Sequence, residues 1–175
     1  MTFQNPDAGS EFFLSLGSNL GDKEKNLTLA LFSLEKEGVK ILKMSSLYET
    51  QPVDFPSKPW FYNQLVEVRT KANPEALLDL VKKIEQKMGR KRGQKKGPRI
   101  IDIDIILAED SVIRKKELEI PHPRMEKRNF VLLPFVEISS DTVHPVFNED
   151  MKTLWKKSDD RSIVKQIKRH AGHKK

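Results

Sequence analysis

The 175-residue chain has no cysteine, which removes disulfide scaffolds, thiolate zinc sites and thiol nucleophiles from consideration. No apolar run approaches the roughly 20 residues of a membrane span, and no apolar stretch of signal-peptide type stands near the N-terminus. A soluble, cytoplasmic protein without a membrane partner is therefore expected. Internal repeats are lacking, and the length fits one domain that buries about 70% of its unfolded surface, enough for an enclosed site. Acids are missing from residues 161–175, which carry six Lys/Arg. That tail accounts for six of the formal +7, leaving +1 for the rest of the chain. A nearly neutral body argues against a nucleic-acid-binding face, and no nucleic-acid partner is expected.

What is present is an alternation of strand and helix signals. Residues 1–10 have no periodicity and read as a disordered extension, 11–160 as the domain, and 161–175 as a basic tail with a short helix through Ile163, Val164 and Ile167. "FFLSL" (12–16) reads as a strand stopped by Gly17. Asp22 then caps a helix bearing Leu27, Leu31 and Leu34 on one face. Residues 39–50 read as one strand, 51–60 as a proline-rich loop, and 61–70 as a strand antiparallel to its predecessor. Asn73-Pro74 places an N-cap and a proline at the first helical position of a helix through Leu77, Val81, Ile84 and Met88. "RKRGQKKGPR" (90–99) is a loop, "IIDIDIIL" (100–107) a central strand, and helices follow around "RNFVLLPFVEIS" and "MKTLWKK". The pattern predicts an α+β fold, with a mainly antiparallel central sheet flanked by helices in a ferredoxin-like layered sandwich.

Aspartate is depleted in strands, and a buried carboxylate is costly without a partner, so Asp102 and Asp104 stand out. Strand alternation puts both on one face, about 7 Å apart, with Ile101, Ile103 and Ile105 on the other. An arbitrary D-x-D would decorate a solvated sheet face. The surrounding isoleucines and the nearby arginines favour ligation instead: one hard cation, or two with a phosphate between them. The preceding loop carries Arg90, Lys91, Arg92, Lys95, Lys96 and Arg99. Charge runs are usually solvated turns, but beside a metal-binding pair this one suits a polyphosphate. Its glycines and mutually repelling cations predict a segment that moves without ligand and closes over a nucleotide. His122, held between two prolines, and Arg128 can add phosphate contacts. "GSNLG" (17–21) lacks the endings of the known phosphate loops and is weak as a nucleotide motif.

Taken in order, "LSLGSNLGD", "SSLYETQPV", "FYNQLVEV", "KKGPRIIDIDII" and "IPHPRMEKRNFVLLP" resemble the 6-hydroxymethyl-7,8-dihydropterin pyrophosphokinase family of folate biosynthesis, over about residues 12–150. The resemblance implies an ATP-dependent enzyme that moves pyrophosphate to the pterin's hydroxymethyl group and releases AMP. Asp102 and Asp104 would hold two Mg²⁺ ions with ATP. Arg92 and Arg99 would bind phosphates and act catalytically, and Glu85, Ile105, His122 and Arg128 would complete the nucleotide site. Phe61 and Phe130 would sandwich the pterin, Asn63 would bond its polar edge, and Thr50 and Val53 would line the same pocket, with Asp102 also near the substrate. Where many bacterial members carry Trp before Gly-Pro-Arg, this chain has Lys96. Glu117 stands where some are basic, and Pro123 follows the histidine where others touch adenine.

Two rivals are a Mg-dependent nucleotidyltransferase and a non-enzymatic RNA-binding module. The first pairs a Gly-Ser turn with a nearby D-x-D, whereas here most of a hundred residues separate Gly17-Ser18 from Asp102. The second needs aromatics within the basic patch, which this loop lacks. A monomer acting on ATP and a pterin is expected.

Overall fold

The computed structural model describes residues 9–53, 59–91, 93, 97–109 and 111–168. Its elements run β1 (Ser10–Ser18), α1 (Lys23–Lys36), β2 (Lys40–Met44), β3 (Leu47–Thr50), β4 (Phe61–Thr70), α2 (Pro74–Lys87), β5 (Asp102–Ala108), β6 (Ile113–Lys115), β7 (Leu118–Ile120), α3 (Asn129–Ser139), α4 (Met151–Lys157) and β8 (Val164–Lys168). The caps read from sequence form. The Asp22 side chain accepts from the Lys25 N–H and that of Asn73 from the Ala76 N–H, with Pro74 at the helix start. Each satisfies one of the donors that a helix N-terminus leaves open.

Six strands make one antiparallel sheet in the order β5-β1-β4-β3-β8, with β2 also on β4. Helices cover both faces. Phe12, Leu14, Leu16, Val66, Val68, Ile103 and Ile105 pack with Leu27, Leu34, Leu77 and Val81 of α1 and α2. Phe13, Leu65, Ile106 and Leu107 pack on the other face with Phe135 of α3 and Leu154 of α4. The expected α+β architecture holds, and no helix among the described residues is long and apolar enough to cross a membrane.

Three expectations need correction. Residues 39–50 are two strands, not one. At the break, the Ser46 N–H donates to the Glu137 carboxylate on α3, and the Ser45 hydroxyl accepts the Leu65 N–H, so hydroxyl chemistry interrupts the ladder. β5 is an edge strand rather than a central one, and it begins at Asp102. It reads as interior because helices cover both faces: Ile103 and Ile105 face one core, and a bulge between its pairings to Phe13 and Leu14 lets the consecutive Ile106 and Leu107 both face the other. The tail helix is instead β8, paired with β3. β-branched residues suit a pleat, and the open edge of β3 supplies the partner. Of the loop expected to move, residues 92 and 94–96 lie outside the described residues, as do residues 1–8 of the expected extension.

Candidate active site

The register of the sheet builds the site. Gly17 on β1 stands between Asp102 on β5 and Asn63 on β4, and Ser15 opposes Asp104 one step deeper. Asn63 in turn opposes Tyr48, and Phe61 opposes Thr50, on β3. Asp102, Asp104, Asn63, Phe61 and Thr50 therefore share the face that α3 covers. Asp102 and Asn63 sit two strands apart, roughly 10 Å. Gly17 keeps the floor between them open: a Cβ there would lie 2.6 Å from Asn63 Oδ1. Glycine at this position is required by space rather than by backbone angle.

Arginines and carboxylates alternate across the end of this face that holds Asp102 and Asp104. Arg90 Nη1 reaches Glu85 Oε1 at 2.6 Å and Asp102 Oδ1 at 2.5 Å, and Arg99 Nε lies 3.3 Å from Asp102 Oδ2. Glu85, 7% exposed, also accepts the Ile103 N–H at 2.7 Å. Burial pushes its carboxyl up to about 7, and these donors only partly oppose that. Burial likewise pushes Asp104 up to about 7, with the charges of Asp102 and Glu85 adding and those of Arg128 and Arg99 opposing. Two oxygen-donor side chains on one face, one of them short of positive charge, fit a hard divalent cation.

His122 anchors the far side of the same edge. Its backbone N–H donates to the Ile106 carbonyl at 2.8 Å, and its Nδ1 accepts from the Arg124 N–H at 3.3 Å. Burial, followed by Arg128 and Arg124, holds its pKa down to about 4, so the ring is neutral at pH 7. With Nδ1 accepting, Nε2 carries the proton and can donate to an anion. Two of the expected aromatic residues carry arginine: Arg99 lies over the Phe61 ring and Arg128 over the Phe130 ring, each at 5.5 Å. Thr50 and Asn63 are buried, and Asn63 Nδ2 donates to Thr50 Oγ1 at 2.5 Å, which fixes the amide.

Not every expected residue joins this cluster. Val53, three residues past β3, is half exposed, and Arg92 lies outside the described residues. Glu85 joins the cluster from the open edge of β5, where it shares Arg90 with Asp102 and accepts the Ile103 N–H. The Ile105 side chain is in the core, so the strand edge is what that residue can offer a ligand. Sequence reasoning missed the roles of three residues: Gly17, read only as a strand stop; Arg90, named only among the cations of the loop; and Asn19. Asn19, 3% exposed, donates from Nδ2 to the Pro59 carbonyl and accepts the Arg99 N–H at Oδ1, while its own N–H donates to the Arg99 carbonyl. It ties the segment entering β4 to the one entering β5. The signal was the asparagine inside "GSNLG", read as a weak phosphate loop when its amide is a bracket.

A sequence model of 7,8-dihydro-6-hydroxymethylpterin-pyrophosphokinase matches residues 13–140. The 2-amino-4-hydroxy-6-hydroxymethyldihydropteridine pyrophosphokinase of Aquifex aeolicus is 41% identical over 140 residues, covering 80% of this chain and 87% of that protein. The Bacillus subtilis protein of the same name is 43% identical over 127 residues, covering 72% and 76%. The folic acid synthesis protein fol1 of Pneumocystis carinii is 42% identical over 151 residues, 86% of this chain but only 20% of that protein. Among solved structures, wild-type Plasmodium falciparum HPPK-DHPS superposes with a TM-score of 0.70 at 21% identity, over 90% of this chain and 45% of that one, which speaks to the fold. The chain thus spans about a fifth of the fungal protein and under half of the Plasmodium one. By these matches the chain belongs to the 7,8-dihydro-6-hydroxymethylpterin-pyrophosphokinase family.

Proposed function

We propose that the chain transfers a pyrophosphoryl group from MgATP to the hydroxymethyl oxygen of 6-hydroxymethyl-7,8-dihydropterin. The observation that carries this reading is the single sheet face on which the carboxylate pair and the Phe61–Asn63–Thr50 group flank Gly17. Asp102 and Asp104 would hold two Mg²⁺ ions, whose bound charge would neutralise the triphosphate and orient it. Arg99, Arg92, Arg128 and the neutral His122 would grip phosphate oxygens. Arg90, already on Asp102 and Glu85, brings a further cation to the same edge. Phe61 and Phe130 would clasp the pterin ring. Thr50 fixes the Asn63 amide so that its remaining hydrogen-bonding groups can read the ring's polar edge.

In this reaction the hydroxymethyl oxygen bonds to the β-phosphorus, the bond from that phosphorus to the α,β-bridging oxygen breaks, and AMP leaves. The hydroxyl proton passes to a carboxylate oxygen of the pair or to solvent. Positioning and charge neutralisation supply most of the catalysis. Incubation with MgATP and the pterin, followed by separation of nucleotides, should give AMP in proportion to pterin diphosphate and none without the pterin. ADP as main product, inorganic pyrophosphate with a nucleotidylated acceptor, or no pterin-dependent consumption of ATP would overturn the reading.

Asn19 gives a second test. Asn19→Ala removes two side-chain bonds that hold Pro59 and Arg99. We expect kcat/KM to fall roughly 10-fold to 100-fold, because a buried donor and acceptor are orphaned and the Arg99 segment is loosened. Steady-state kinetics on the variant decide it, and an unchanged kcat/KM would show that the bracket has no part in activity.

A further inference from the structure

We propose that residues 160–168 form a strap that sets the width of the pterin slot, with Asp160 as its positioning residue. This inference rests on the reading above and deepens it. α3 begins directly after Arg128, which provides no side-chain cap, and the first turn contains no acid. The cap comes from across the chain. Asp160 Oδ2 accepts the Asn129 N–H at 2.7 Å, and the Asp160 carbonyl accepts Asn129 Nδ2 at 2.8 Å. A carboxylate at a helix N-terminus answers both an open donor and the helix dipole. Ser162 locks that carboxylate in place, its N–H donating to Oδ1 at 2.8 Å and its hydroxyl to Oδ2 at 2.9 Å.

From Asp160 the chain runs directly onto the sheet. The Gln51 N–H donates to the Ile163 carbonyl at 3.0 Å, Val164 pairs with Thr50, and Gln166 Nε2 donates to Ser46 Oγ at 2.7 Å. Lys165 lies over the Trp60 ring at 5.9 Å, next to Phe61. One short segment thus grips the two walls of the slot. At one end it holds the peptide unit beside Phe130. At the other it holds the strand whose Thr50 orients Asn63. A flat ring clasped between two aromatic groups requires their separation to be kept within about 0.5 Å. The nucleotide has many anchors along β5, whereas the pterin depends on this gap. Slackening the strap therefore acts on the pterin first.

Asp160→Ala and Asp160→Asn in the full chain test this by calorimetric titration. One titration adds a non-hydrolysable MgATP analogue, and the other adds the pterin in the presence of that analogue. We expect Asp160→Ala to weaken pterin binding roughly tenfold and to change analogue binding by less than about twofold. Asp160→Asn should recover part of the loss, since an amide oxygen can still accept the Asn129 N–H. Ser162→Ala, which keeps the Asn129 contacts but frees the carboxylate, should shift pterin affinity the same way by a smaller factor, and it serves if Asp160→Ala fails to fold. Unchanged pterin affinity in folded variants, or equal losses for both ligands, overturns the strap alone. A wild-type protein that binds no pterin beside the analogue overturns the proposed function and the strap with it.

Discussion

Replacing Asp104 with alanine is expected to lower Mg²⁺-dependent turnover by roughly three orders of magnitude while leaving the fold intact. The side chain faces the site, while Ile103 and Ile105 on either side of it carry the core, so the strand keeps its packing. Without metal the variant should be more stable than the wild type. Asp104 is raised from 3.8 to about 7, so the native state holds a proton that the unfolded chain has already released. Stability of the wild type then falls as pH rises from about 4 to about 7 and is flat above that. Glu85, raised from 4.5 to about 7, contributes a slope of the same sign in the same range. Thermal unfolding in EDTA should show the melting advantage of Asp104→Ala growing between pH 5 and pH 7 and holding at pH 8. Mg²⁺ with a nucleotide should stabilise only the wild type. Turnover near the wild-type level in the variant would remove Asp104 from the mechanism.

Glu85→Ala should damage both stability and activity. Its carboxylate accepts the Ile103 N–H and the Arg90 guanidinium in a nearly closed environment. Truncation strands that backbone donor and takes from Arg90 one of its carboxylate partners. A loss of about 3 kcal/mol is expected, which corresponds to a melting temperature lower by roughly 6–12 °C in a chain of this size. Turnover should drop by at least about tenfold, since both Arg90 and the start of β5 lose their hold. Glu85→Gln keeps an acceptor for Ile103 and should recover most of the stability but less of the activity. Calorimetry and kinetics on the pair separate the two effects. If both variants melt with the wild type, Glu85 is not the support described here.

Much of this was legible in the chain because the relevant forces are local. Asp22 and Asn73-Pro74 cap their helices through bonds three residues long, and the alternation around Asp102 and Asp104 follows from strand geometry alone. The expected grouping of Phe61 and Asn63 with Phe130 came only through resemblance to a family, since an aromatic in a strand or helix carries no sign of what it faces. The edge position of β5 was hidden because apolar character reports burial, and here helices supply the burial that neighbouring strands would give elsewhere. The segment with Ile163, Val164 and Ile167 fits a helical stripe as well as a pleat. The open side of β3, more than a hundred residues earlier, decides between them. Asn19 and Asp160 act on backbone groups far away in sequence, where no spacing rule reaches.

The composition of β5 matters before the chain has folded. Residues 100–107 present six apolar residues and only two polar ones, and a strand of that composition readily templates onto a copy of itself. In the unfolded chain at neutral pH both aspartates carry their ordinary charge. They repel a second copy at the very segment most inclined to stack with it. Asp104, a burden to the folded, metal-free protein, thus helps guard the nascent one. An Asp104→Ala variant gains equilibrium stability without metal but gives up part of that protection against self-association on the way there.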